Sequence, residues 1–289
     1  MNFEAAAEYA DRHGLEALLV QRNGETVFDR YAAGFDASKP HALYSGTKSF
    51  WGPTALAAQA DGLLSLDEPV GATFPAWRTG RKAAVTLRDL LRLTSGIGFG
   101  GLGSAVPSYD KALAVELKNE PGTVFTYGGI PLQVFGAVLA EKLRSQNLSP
   151  HEYLQKRVLD PAGVTVASWR TLASGTKPLP TGAFLGAAQW ARFGRFMLET
   201  PGLEPCFQGS VVNPNYGLTW WLAPHGVAYA SGAAGQAMYL VRAERTVVVK
   251  FARSSSYKHD AFLKRLLSDL SSRSGSSAVP GATISPERR

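Results

Sequence analysis

Ser45-Gly46-Thr47-Lys48 places a hydroxyl and an amine three residues apart at the head of an apolar, helix-compatible stretch. If a helix starts at Ser45, the two side chains share one face with Cβ atoms roughly 5–6 Å apart, so the amine can take the hydroxyl proton. Of three further Ser-x-x-Lys copies, at Ser108, Ser174 and Ser255, the last two lack that setting. Ser174-Gly175-Thr176-Lys177 runs into Pro178-Leu179-Pro180, which favours an extended path, and reads as loop. The last, Ser255 to Lys258, precedes a helical pattern over His259 to Leu270, where Ser254, Ser255 and Ser256 read as capping residues. Capping is also the ordinary explanation of Ser45, but a capping box would put Glu or Gln where Lys48 stands. A cation in the first turn opposes the helix dipole, at roughly 0.3–1 kcal/mol, so Lys48 asks for a compensating role. Pro53 lacks the N–H that would bond the carbonyl of Ser49, which predicts a kink at Gly52-Pro53.

An activated serine also needs a second proton carrier and two N–H donors for the developing oxyanion. Lys48 serves as base only if burial lowers its pKa. Tyr127 lies in Pro121-Gly122-Thr123-Val124-Phe125-Thr126-Tyr127-Gly128-Gly129, a Gly-flanked loop before a helical pattern, where a phenol can project into a cleft or be an ordinary buried tyrosine. The N–H of Ser45 is one candidate oxyanion donor. The small-residue run Ala230 to Gln236 offers the other, or is a tight strand connection.

The elements that must hold these groups follow from periodicity. Residues 3–13 read as an amphipathic helix, followed by β-rich runs at 15–21 and 25–32 joined by Asn23-Gly24, a hairpin signal. Strand patterns recur at 227–230, 237–242 and 246–252, and a last helix closes over 263–270. Between them lie helical patterns at 54–60, 86–93, 109–117, 130–143, 151–158 and 187–198. The expected class is α+β: an antiparallel sheet of N- and C-terminal strands flanked by helices, with a mostly helical insertion. Residues 1–75 and 200–270 form the sheet region, 76–199 the helical region, and 271–289 a Ser/Gly/Pro-rich disordered tail.

With 289 residues, 45% hydrophobic and 18% charged, the chain can bury a sizeable core. Its net charge of +7 is scattered, with no basic run, zinc spacing or RNA-binding motif, so no nucleic-acid partner is expected. Cys206 alone makes no intrachain disulfide, and five dispersed histidines offer no metal set. No signal peptide pattern opens the sequence and no 18-residue apolar run crosses it, so the expectation is a cytoplasmic protein without membrane partner.

Taken in order, these segments resemble the serine β-lactamase and penicillin-binding-protein superfamily. The branch is that of class C β-lactamases, D-alanyl-D-alanine carboxypeptidases, β-lactamase-like esterases and 6-aminohexanoate-dimer hydrolases. Besides Ser45 to Lys48 and the Tyr127 loop, the resemblance rests on Asp61 to Val70, Val85 to Ile97, Trp190 to Gly194, Tyr216-Gly217-Leu218-Thr219-Trp220-Trp221, and Gly232 to Gln236 before a strand. It implies a β-lactamase/transpeptidase-like fold with Ser45 as nucleophile, Lys48 as its base partner, and Tyr127 as the tyrosine of the family's Tyr-x-Asn motif. Gly232 then ends the Lys-Thr-Gly equivalent, making the Ala233 N–H the second oxyanion donor and leaving Ser231 on the cleft wall. Trp220 and Trp221 would line a substrate pocket or belong to the core. Two matches fail: the motif's Asn falls on Gly129, a position the resemblance still puts at the substrate with Ser231 and Gly232, and its Lys on Ala230 of Ala230-Ser231-Gly232. Loss of that cation argues against substrates recognised by a carboxylate and towards small neutral or differently charged esters and amides.

Gly98 to Gly103 fits Gly-x-Gly-x-x-Gly, but no strand precedes it, so it reads as a cleft-side loop. Gly-x-Ser-x-Gly is absent. His41 and His225 read as surface or packing histidines. The function expected is a serine hydrolase, free of metal and cofactor, that cleaves a small ester or amide through an acyl-enzyme. The alternatives are a carboxypeptidase or β-lactamase with a replacement cation, and a non-catalytic binder or sensor of the same fold.

Overall fold

The computed structural model describes residues 1–269; the expected tail at 271–289 lies outside the described residues. The chain begins with α1 (Phe3–Asp11), then β1 (Leu15–Arg22) and β2 (Glu25–Tyr31), with a short β3 (His41–Ala42). The middle contains α2 (Trp51–Ala60), α3 (Leu87–Arg92), α4 (Tyr109–Leu113), α5 (Ile130–Leu143) and α6 (Pro150–Leu154). Next come β4 (Ser168–Trp169), β5 (Ala183–Leu185) and α7 (Ala187–Glu199). The last elements are β6 (Trp221–Ala223), β7 (Val227–Gly232), β8 (Gln236–Val241), β9 (Thr246–Ala252) and α8 (His259–Leu266).

Six strands pair antiparallel in the order β2-β1-β9-β8-β7-β6, so the two ends of the chain meet at the β1–β9 seam. The Asn23-Gly24 hairpin has positive φ at both residues, 51° and 85°, as a two-residue turn matching strand twist requires. Side chains alternate across the sheet. Leu18, Val20, Tyr239 and Val248 pack with Phe262 and Leu266 of α8 and with α1, while Ala17, Leu19, Met238 and Val249 join Trp190 and Phe193 of α7 in the larger core. Both faces are covered, so every residue of β8 and β9 is buried, Gln236 and Lys250 included. A three-stranded sheet, β3-β5-β4, sits apart.

Three expectations are corrected locally. Tyr109 to Leu117 holds only the five-residue α4, and the chain leaves the helix at Ala114. Ser254 to Ser256 do not cap α8: its N-cap is Lys258, with no side-chain bond, and Ser256 Oγ instead meets His13 Nδ1 at 2.9 Å and Ser254 Oγ at 2.8 Å. The helix expected to start at Ser45 begins as a 3₁₀ segment, Tyr44–Phe50, and becomes α-helical only at Trp51.

That transition accommodates Pro53. Proline gives the Ser49 carbonyl no N–H, and the buried Trp220 indole donates to it instead at 3.1 Å. Beside it, Gly52 N–H donates to Thr219 Oγ1 at 3.1 Å, and a Cβ on Gly52 would lie 2.4 Å from Leu218 O. Trp220 is therefore a core residue that secures the segment carrying Ser45 and Lys48, and the expectation that it lines a substrate pocket is corrected. Trp220→Phe should lower stability by about 1–3 kcal/mol by orphaning a buried carbonyl, read as a fall in the denaturant midpoint with an unchanged m-value.

Candidate active site

Tyr44, just before Ser45, has φ 47°, an unfavourable left-handed conformation for a large side chain. It turns the chain from β3 into the 3₁₀ segment. Gly232, at the end of β7, comes so close that a Cβ there would lie 2.1 Å from Leu43 O. Only glycine permits this approach. Ser45, Tyr127, Trp221, Tyr229, Ser231, Gly232, Ala233 and His259 thus line one cleft of about 450 Å³. A slightly larger hollow of about 500 Å³ lies beside Glu16, Asp36, His41 and Arg253 but offers no nucleophile with an adjacent base. The first sets a hydroxyl beside a buried amine.

Lys48 Nζ lies 3.1 Å from Ser45 Oγ and donates to Pro180 O at 3.2 Å. Its side chain is buried, and desolvation brings its pKa from 10.5 down to about 7. Half of these amines are then neutral near pH 7, which equips Lys48 to accept the serine proton. Pro180 is held in turn by its neighbour Leu179, whose N–H donates to Gln133 Oε1 at 2.9 Å and whose carbonyl accepts from Trp51 Nε1 at 2.6 Å. The loop after Ser174 to Lys177 thus supplies the acceptor that aims the Lys48 amine.

Tyr127 hangs from the end of α3. Leu93 closes that helix at φ 58° and its carbonyl accepts from Thr126 N–H, while Leu91 O accepts from Thr219 N–H. One helix end therefore anchors both the tyrosine loop and the tryptophan pair. The Tyr127 ring stacks on Trp221 at 5.4 Å, and Lys48 Nζ lies 4.9 Å from its centroid. Burial raises the phenol pKa, while a hydrogen bond with Ser45 pulls the other way. The group therefore stays a phenol at neutral pH, a proton donor rather than a standing base.

Of the residues singled out in the sequence, Ser45, Lys48, Tyr127, Trp221, Ser231, Gly232 and Ala233 converge here. Gly129 does not line the cleft and is corrected: its N–H donates to Gly100 O at 2.9 Å, and a Cβ would lie 1.9 Å from Gly101 O. No asparagine fits there. Gly129→Asn is expected to destabilise the protein by about 3 kcal/mol or more, because backbone rather than a movable side chain blocks the Cβ, and a thermal melt would show it. Gly98 to Gly103 is the loop that causes this crowding, through the Gly100–Gly128 bridge. His41 bonds Glu16 at 2.6 Å and stacks on Phe251 away from Ser45, and His225 faces a separate groove.

Sequence reasoning missed Pro180, Tyr229 and His259. Pro180 acts through a carbonyl, which every residue has. Tyr229 and His259 show their role only once β7 and α8 are placed side by side, with rings 4.7 Å apart.

A family model described as Beta-lactamase matches residues 3–270. The chain belongs to the beta-lactamase family. Solved structures share its fold at low identity. A protein assigned as a 6-aminohexanoate-dimer hydrolase from Bacillus anthracis aligns with a TM-score of 0.76 and 18% identity, over 93% of this chain and 82% of its own. EstCE1, described as a hydrolase with promiscuous acyltransferase activity, aligns with a TM-score of 0.72 and 14% identity over 91% and 95%. A class C beta lactamase from Rhodobacter sphaeroides gives 0.69 and 16% over 92% and 99%. No curated protein matches the chain. Membership in this beta-lactamase-like family of serine hydrolases agrees with the expected α+β architecture, an antiparallel sheet built from both ends of the chain and flanked by helices.

Proposed function

We propose that the protein is a serine hydrolase that cleaves a small ester or amide through an acyl-enzyme. The observation that carries this reading is the 3.1 Å contact between Ser45 Oγ and a buried Lys48 amine whose pKa falls to about 7. Ser45 Oγ attacks the substrate carbonyl as its proton passes to neutral Lys48, and the N–H groups of Ser45 and Ala233 take the oxyanion. Collapse expels the leaving group, which takes a proton from Tyr127, and Lys48 returns one to the tyrosine. Water then enters by the reverse of these steps, attacking the acyl carbon and restoring the Ser45 hydroxyl.

The residues lining the cleft include neither lysine nor arginine to stand in for the cation missing at Ala230. This favours esters or neutral amides over penicillins and D-Ala-D-Ala peptides. A fluorophosphonate is expected to form an adduct at Ser45 while a fluorescent penicillin does not. Penicillin labelling would move the assignment to a β-lactamase or carboxypeptidase, and absence of both adducts would leave only a binder.

A further inference from the structure

Behind the cleft wall runs a chain of polar groups that the serine–lysine chemistry does not use. Ser231 Oγ lies 3.0 Å from His259 Nε2, His259 Nδ1 lies 2.7 Å from the Tyr239 hydroxyl, and Tyr239 lies 2.6 Å from the Tyr257 hydroxyl. Tyr239 and Tyr257 are buried, and Tyr257 has no other hydrogen-bond partner among the described residues. Burial also lowers the pKa of His259 to about 4, and nearby Lys250 adds to the effect, so the ring is neutral and carries one N–H.

Counting protons fixes the direction of the chain. Three gaps separate four groups, and each gap needs one hydrogen. If Ser231 donated inward, the histidine N–H and the Tyr239 proton would fill the other two gaps, and the buried Tyr257 proton would be stranded, at about 1–3 kcal/mol. If Tyr257 donates to Tyr239, Tyr239 to Nδ1, and Nε2–H to Ser231, every buried proton is used. The hydroxyl proton of Ser231 is then free to point into the cleft. This arrangement also separates the Ser231–His259 pair from a second nucleophile and base, because Nε2 has no lone pair to offer.

Resting on the serine hydrolase reading above, we propose that Ser231 is the specificity-determining donor of this cleft, oriented by Tyr257, Tyr239 and His259 to bind an uncharged carbonyl or ether oxygen of the substrate beyond the scissile bond. Wild-type substrates are accordingly esters or amides with a second neutral acceptor, such as half of a diester. A carboxylate at the same place would leave water with no lysine or arginine in the cleft lining to meet it.

The test compares three 4-nitrophenyl esters: the methyl succinate, which has the second acceptor; the hexanoate, which lacks it; and the hydrogen succinate, which carries a charge. Wild type should prefer the methyl succinate, and its kcat/KM ratio over the hexanoate should fall about tenfold in Ser231→Ala, the loss of one hydrogen bond. Tyr239→Phe should lower the ratio similarly, although Tyr239 is a buried positioning residue, because His259 loses its inward donor and the ring can turn its lone pair on Ser231. Ser231→Thr should keep the ratio. An unchanged ratio in Ser231→Ala, preference for the hydrogen succinate, or a fluorophosphonate adduct mapped to Ser231 would overturn the proposal. Absence of any Ser45-dependent adduct would instead overturn the hydrolase reading beneath it.

Discussion

Ser45→Ala is expected to lower kcat/KM for 4-nitrophenyl esters by about a thousandfold or more, and to abolish fluorophosphonate labelling, while the fold is kept. The size follows from the absence of a replacement nucleophile: Ser231 shares the cleft but lies against a donor, and Lys48 is aimed at position 45 by Pro180 O. Residual turnover then comes only from positioning and oxyanion contacts. Alanine removes a single oxygen from a half-buried site, so thermal stability should change little. Turnover close to wild type in the alanine variant would remove Ser45 from the chemistry.

Much of this site was legible because it depends on local spacing. Ser45 and Lys48 are three residues apart on one helical turn, and a 3₁₀ segment in place of an α-helix still brings their polar tips to 3.1 Å. The sheet was legible too, since period-two patterns and Asn23-Gly24 are short-range signals. What could not be read was anything set by close approach between distant segments. Gly129 offered an empty motif position in the sequence, but only the packed Gly98–Gly103 loop shows that a side chain there is sterically impossible. Trp220 and Trp221 are adjacent and identical in type, and the entry into β6 sends them opposite ways: one under the 3₁₀ segment, the other against Tyr127. The Ser231–His259 contact joins residues 28 apart, a pairing no local pattern encodes.

Lys48→Met should show that the same burial that suits the lysine to its proposed role as base also weakens the fold. Loss of the proton acceptor is expected to reduce kcat/KM by about 10²–10⁴-fold. With the neutral amine as the proposed working form, kcat/KM should rise with pH through an inflection near 7, set by the lowered pKa of Lys48. That inflection should be missing from the residual rate of the variant. The stability sign follows from proton binding. The folded amine titrates near 7 and the free one near 10.5, so the unfolded chain binds the extra proton between those values, and stability rises with pH across that window. The burden is therefore complete below pH 7 and gone above about 10.5. Methionine carries no proton to desolvate, so Lys48→Met should be more stable than wild type at neutral pH, by an amount on the order of a few kcal/mol less the bond lost at Pro180 O. The difference should shrink steadily as the pH approaches 10. Denaturant midpoints at pH 6.5 and 9.5 would measure both ends of the window, and an advantage that failed to narrow would mean that Lys48 is not held as a neutral base.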